Sequence, residues 1–494
     1  MTLAEIKQIN QKIYELNTEI SREKKVIFIA SLIFALQSKD FQNPNKLSSL
    51  INFSPSAENP IDQLLKISKQ EIDKLNLIKE TGDAIKKALD IIAGENTKLS
   101  QDRENLKAFI SNFISNVYPA ISQHPEDLFL ERLYMEIDKK ASKGDDGIVL
   151  TPLFAAELMV DFASIDYRRD VVADLCSGTG LFSLLSYSKM LGKMKADFDK
   201  GEISREVYNK YNKQVLCSII ANDNDSKMLT LCLANFLLNS LNHNLIFYRN
   251  VLDLVRSDFK VNDENDKEKS IQPTKAILNP PYEDKYKPVE IVEKNISLVQ
   301  GQNGARVVVI IPPQKFGQKK DVFSRILNMA RLDSVIKMQD DLFTDSGKSQ
   351  PASIFIFDCS REHRKTDKIK YYNFTDTGFI YLKDSGLVDK NHTFESKKKE
   401  LLSKMDNPAN IANISEFKRV WNNFYEVNKE LEVETQIDPS KIASSKEEAD
   451  ITLENITIKK MLKEKQSLIE SVGNNFKDLD GSFEKYIVGI LSED

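Results

Sequence analysis

The chain has 494 residues, 41% hydrophobic and 29% charged, with a formal net charge of −5. That balance belongs to a globular protein and excludes a disordered polymer. It also excludes indiscriminate coating of polyanions, so a nucleic acid would have to be met by a local basic surface or a basic partner.

In chain order, residues 1–140 read as a helical N-terminal domain. Ile6, Ile9, Ile13, Leu16 and Ile20 recur at steps of three and four, the stripe of a helix packed on one side. The longest apolar run, Val26 to Leu36, is too short for a bilayer and reads as a buried helix, and the first residues lack the order of a secretory signal. Pro55 and Pro60 interrupt the pattern before helices over 62–93 and around Phe109 to Val117. The expectation is a cytoplasmic protein with no membrane segment.

From about Gly147 the texture changes. Short apolar runs at 171–176, 214–221, 245–248, 275–278 and 305–311 alternate with helical stretches, the pattern of βαβ units around a parallel sheet buried on both faces. Runs at 334–338 and 352–357 complete a seven-stranded α/β sheet over residues 141–383. A charged helical insertion at 188–213 and a solvated loop at 261–269 interrupt it. Residues 384–494 read as a helical C-terminal extension, with a stripe of Leu453, Ile456, Leu462, Ile469 and Val472 downstream of Trp421. The four cysteines form no CxxC pair and the four histidines are scattered, so neither a disulfide frame nor a metal box is expected.

Three segments carry chemistry. Asp174-Leu175-Cys176-Ser177-Gly178-Thr179-Gly180 lies where a buried strand passes into a helix, the place where an α/β sheet binds ligands and where glycine lets backbone approach them. A dinucleotide fingerprint would want a third glycine at 183, where Ser183 stands. Asp223, closing the next strand, can accept both hydroxyls of a ribose; it can also cap the following helix, a role Asp225 could fill alone. Asn279-Pro280-Pro281-Tyr282 follows the strand at 275–278. Its prolines fix the backbone and remove donors, so the Asn279 amide oxygen and the Pro280 carbonyl could grip two hydrogens of one planar amino group. Such a grip returns lone-pair density to the nitrogen without a titrating base, while Tyr282 offers a stacking face. Ser346 to Ser349 ends like a phosphate-binding loop, but Leu342 stands where that motif needs glycine.

Together these segments resemble the S-adenosylmethionine-dependent DNA adenine-N6 methyltransferases. Gly147-Ile148-Val149-Leu150-Thr151-Pro152, upstream of the glycine turn, is similar to that family's GxxxTP segment, and the order of parts resembles the modification subunits of type I restriction–modification systems. The resemblance implies a Rossmann-like methyltransferase sheet and S-adenosylmethionine as cofactor. It assigns Thr151, Asp174, Ser177, Gly178, Gly180 and Asp223 to the methyl donor, with Asn250 where the family commonly has an acidic residue near the donor's adenine. Asn279, Pro280, Pro281 and Tyr282 become catalytic, and Phe343 becomes the second aromatic that sandwiches a flipped base against Tyr282. The implied partners are double-stranded DNA, a separate specificity subunit and a restriction subunit. A protein glutamine methyltransferase uses the same four residues and remains an alternative, as does a catalytically silent DNA-binding assembly subunit.

Overall fold

The computed structural model describes residues 8, 9, 11, 22–94, 102–123, 128–138, 150–262, 268–343, 351–364, 366–382, 386–406 and 411–413. They belong to the first of two compact units, Met1–Glu432; the second is Val433–Asp494. Most of the N-terminal isoleucine stripe, Gly147 to Val149, Ser346 to Ser349, Trp421 and the stripe at 453–472 lie outside the described residues.

The apolar run expected as a buried helix is α1 (Arg22–Ala35), whose residues from Val26 onward are almost wholly enclosed. A helix apolar all round is stable only when packed on every side. Here α2 (Pro60–Asp73) supplies part of that packing, and a helix of the sheet layer, introduced below, supplies more. Asn59 caps α2, with Pro60 at its first position, which is why the chain turns helical there. Next come α3 (Lys79–Leu89), α4 (Arg103–Asn112) and α5 (Phe129–Asp138).

After α6 (Leu153–Phe162) the sheet begins. Its strands are β1 (Val172–Asp174), β2 (Ile219–Asp223), β3 (Ile246–Tyr248), β4 (Lys275–Leu278), β5 (Arg306–Ile311), β6 (Arg331–Met338), β7 (Ser353–Asp358), β8 (Lys368–Phe374) and β9 (Ile411–Asn413). The spatial order is β9-β8-β6-β7-β5-β4-β1-β2-β3. Pairing is parallel except for β7, which runs antiparallel between β5 and β6, and β9, antiparallel on β8. Helices α7 (Leu181–Asp199), α8 (Arg205–Leu216), α9 (Ser226–Leu238), α10 (Pro288–Val299) and α11 (Lys320–Met329) connect the strands, and α9 is the helix that packs on α1.

The structure differs from the sequence expectation in four places. The sheet has nine strands rather than seven, because β8 and β9 extend it. The run at 214–221 is divided: Gln214 to Leu216 end α8, and β2 starts only at Ile219. The expected loop at 261–269 is the site of a small hairpin pairing 260–262 with 268–270. Within 384–494, the described residues hold helix α12 (Phe394–Asp406) together with strand 386–388 and β9.

Two fastenings position the sheet. Thr81 of α3 accepts the Tyr248 N–H at 3.1 Å and donates to the Ile246 carbonyl at 3.1 Å, so the open edge of β3 is covered by a helix. At the amino ends of the strands, Lys275 lies 3.6 Å from the fully buried Asp170 and donates to the Gly304 carbonyl, while the Thr274 hydroxyl donates to Asp170 at 2.9 Å. A buried charge pair is tolerated when further hydrogen bonds satisfy both partners.

Candidate active site

The turn after β1 takes its shape from two left-handed residues, Gly178 (φ 53°) and Gly180 (φ 89°). They serve different ends. A Cβ on Gly180 would lie 3.0 Å from Cys232 Sγ, so α9 packs against that point; a Cβ on Gly178 would meet nothing within 4 Å. The backbone at 178 therefore faces open space.

Asp174, at the tip of β1, is 0% exposed. Its Oδ2 accepts from the Ser183 amide at 3.1 Å and the Ser183 hydroxyl at 3.0 Å, while Oδ1 has no hydrogen-bond partner among the described residues. Burial pushes this carboxyl up to about 7; the Ser183 bonds pull it down and nearby Asp223 adds to the rise. Ser183, standing where a third glycine was looked for, places a small hydroxyl in the first turn of α7 and satisfies one buried oxygen.

Asp223 closes β2 half-buried. Its Oδ2 accepts from the Gly178 amide at 2.7 Å and Oδ1 from the Asp225 amide at 2.9 Å, tying the tip of β2 to the glycine turn. Desolvation raises it to about 6, against the pull of those amides. The capping role belongs to Asp225, whose Oδ1 accepts from Lys227 and Met228. The buried Ser177 accompanies this pair through its amide, which donates to the Asn222 carbonyl at 3.0 Å.

Two further residues hold the turn and were missed by the sequence reading. Glu131 of α5 is 1% exposed and accepts a hydrogen bond from the Thr179 hydroxyl; burial pushes it up to about 7, and the Thr179 bond opposes the rise. Asn235 of α9 donates to the Thr179 carbonyl at 2.8 Å. Glu131 stands 48 positions before Thr179, so no local pattern could have linked them.

At the tip of β4, the Asn279 amide nitrogen donates to the Thr151 hydroxyl at 2.9 Å, which joins the Asn-Pro-Pro-Tyr turn to the Thr-Pro segment before α6. That bond fixes the orientation of the amide and turns Oδ1 away from Thr151. Tyr282 is buried, its hydroxyl has no partner among the described residues, and burial raises its pKa well above the usual phenol value. Its ring meets Phe343 edge-on, with centroids 5.7 Å apart and planes at 79°. The two rings are brought together but do not stand parallel, so a base lying between them would require one ring to turn. Asn250 is exposed and its amide oxygen accepts from Leu252 at 3.1 Å, capping the short helical turn at 251–253. The segments at 174–183, 223 and 279–282 all leave carboxyl ends of neighbouring parallel strands, β1 lying between β2 and β4.

No family model matches the sequence. A curated relative, the type II restriction enzyme and methyltransferase RM.BcgI of Heyndrickxia coagulans, is 24% identical over 315 residues, 60% of this chain; the match spans 45% of that protein, less than half its length. Among solved structures, a chain of a type I restriction–modification system superposes over 95% of this chain and 98% of its own, with a TM-score of 0.57 at 15% identity. The fold of this chain is similar to that of a type I restriction–modification protein. Two further structures agree: a modification subunit of a putative type I restriction enzyme from Vibrio vulnificus (16% identity, 84% and 93% coverage, TM-score 0.51) and a type I methyltransferase subunit from Streptococcus thermophilus (12% identity, 85% and 98% coverage, TM-score 0.52). Among the described residues, no helix is long and apolar enough to cross a membrane, and the four cysteines are free thiols.

Proposed function

We propose that this chain transfers a methyl group from S-adenosylmethionine to the N6 amine of a flipped adenine in double-stranded DNA, as the modification subunit of a restriction–modification complex. The observation that carries the reading is the Asn279–Thr151 hydrogen bond, because it ties the Asn-Pro-Pro-Tyr turn at the tip of β4 to the Thr-Pro segment and fixes the plane of the amide. When bound, the cofactor supplies a methyl group made electrophilic by its sulfonium. Asp174, Gly178, Gly180 and Asp223 would hold it: open space above Gly178 and a buried carboxylate oxygen with no partner among the described residues fit a polar ligand at that tip. Ser177 and Thr151 border the same rim, and Asn250 has its amide nitrogen to offer an adenine edge.

Asn279 Oδ1 and the Pro280 carbonyl accept the two amine hydrogens, which restores lone-pair density to nitrogen; its surplus proton leaves to water after transfer. Pro281 holds the turn and Tyr282 stacks on the base with Phe343 opposite. Positioning and polarisation supply the rate, and extruding the base costs about a few kcal/mol that stacking and hydrogen bonds recover. Partner subunits for specificity and restriction follow from the same reading.

The test is transfer of tritiated methyl from the cofactor to duplex DNA and to protein, together with mapping of N6-methyladenine in DNA from cells with and without the chain. Asn279→Ala should lower transfer about a hundredfold or more while cofactor affinity survives. Label arriving on protein glutamine, or undiminished transfer by Asn279→Ala, would overturn the proposal.

A further inference from the structure

Strand β8 is parallel to β6 and, through it, to β4, so its end at Phe374 lies on the same edge of the sheet as the Asn-Pro-Pro-Tyr turn. From there the chain passes through Thr377, whose hydroxyl bonds the Gln339 side chain just beyond β6. Phe379 follows, stacked on Phe154 with centroids 4.0 Å apart, and Phe394 closes the cluster edge-on at 5.4 Å from both. Phe154 is three residues beyond Thr151, the partner of Asn279, so this aromatic root is anchored beside the candidate catalytic tip.

Out of that root grows a two-stranded ribbon pairing Ile380 with Val388 and Leu382 with Gly386. Its three successive residues Ile380, Tyr381 and Leu382 are 47%, 39% and 38% exposed. These three side chains stand in solvent, whereas the paired strand is partly covered: Gly386 is buried, Leu387 and Val388 are half-buried, and Leu387 packs against the core. Three successive large side chains left this exposed at the rim of a sheet mark an interaction surface.

We propose that this ribbon enters a groove of the duplex beside the target and that its apolar side chains occupy the base stack where the adenine leaves. The inference rests on the DNA-methyltransferase reading above. Three observations favour DNA over a protein partner. A two-stranded ribbon matches a DNA groove in width, and apolar wedges are the side chains that part stacked bases. Three residues per strand span about 10 Å, far too little for the roughly 800 Å² per partner of a stable protein interface. Exposed Lys287, in the loop leaving β4, and exposed Lys320, at the start of α11, give the same rim charge suited to phosphates, and exposed Tyr286 precedes Lys287.

The experiment uses the full chain with its specificity subunit and a duplex carrying the mapped target, either fully paired or with an abasic site opposite the adenine. Extruding an unpaired base costs less, so the second duplex bypasses the wedge. The variant Ile380→Ser/Tyr381→Ser/Leu382→Ser should transfer about tenfold more slowly to the paired duplex and within about twofold of the unaltered protein to the abasic one, with cofactor affinity unchanged. Unchanged transfer to the paired duplex overturns the inference. So does an equal loss on both duplexes, with the subunit falling off the complex, which would make the ribbon a protein contact. No transfer by the unaltered complex to either duplex would instead remove the methyltransferase reading and this one with it.

Discussion

Gly178 and Gly180 sit two residues apart, yet alanine at each should fail for a different reason. At Gly180 the left-handed backbone and the 3.0 Å approach of Cys232 act together, so Gly180→Ala should destabilise the fold by about 1–3 kcal/mol in thermal or urea unfolding. At Gly178 only the backbone cost of about 1–2 kcal/mol applies, because the added methyl meets empty space. Gly178→Ala should therefore fold and lose cofactor affinity by about tenfold or more in calorimetric titration; retained affinity would show that the space is not the cofactor's. Tyr282 permits a similar separation. Its hydroxyl is buried without a partner among the described residues, so Tyr282→Phe should be at least as stable as the native chain and keep transfer within a few-fold. Tyr282→Ala removes the stacking face and should lose about ten- to a hundredfold in transfer, the worth of one base–aromatic contact.

At the scale of elements, three carboxyls from three segments converge on one turn: Glu131 from α5, Asp174 from β1 and Asp223 from β2. Burial raises the first two to about 7 and the third to about 6, all above their ordinary values. In the window between those ordinary values and 6–7 the folded chain holds protons that the unfolded chain has released. Their contribution to stability is thus complete below about pH 4 and is lost as pH rises through 6 to 7. Melting temperatures of the cofactor-free protein should fall from pH 5 to pH 8, and Glu131→Gln should flatten that slope; a flat profile in the native chain would contradict the burial. The same convergence explains what the sequence could disclose. The Asn-Pro-Pro-Tyr turn, the glycine turn and Asp223 each declare themselves locally, and seven strands stood out as apolar runs. β8, Lys-Ile-Lys-Tyr-Tyr-Asn-Phe, mixes charged and aromatic residues and gives no such run, and β9 has only three residues. The boundary between α8 and β2 was hidden because the apolar run crosses from a helix end into a strand. Glu131 was invisible because only folding brings it to Thr179.

For the whole molecule, the balance of charge matters more than any one patch. A chain of net charge −5, with Lys285 and Lys319 beside Glu283 and Glu290, has little to grip a duplex by itself. Site-specific methylation should therefore require the specificity subunit: the chain alone should show at most about a tenth of the transfer of the reconstituted complex at 150 mM salt. Full site-specific activity by the single chain would remove the need for that partner.

The charge pair of Lys275 and Asp170, with Thr274 and the Gly304 carbonyl, closes the amino rim of the sheet on itself, whereas the opposite rim keeps Asp174 Oδ1 without a partner among the described residues. One rim is a sealed chassis, the other a row of sockets. Loops between sockets can be lengthened, shortened or swapped without loosening the bolts beneath them, so a redesign that seeks a new target should graft above the strands and leave residues 170, 274 and 275 untouched.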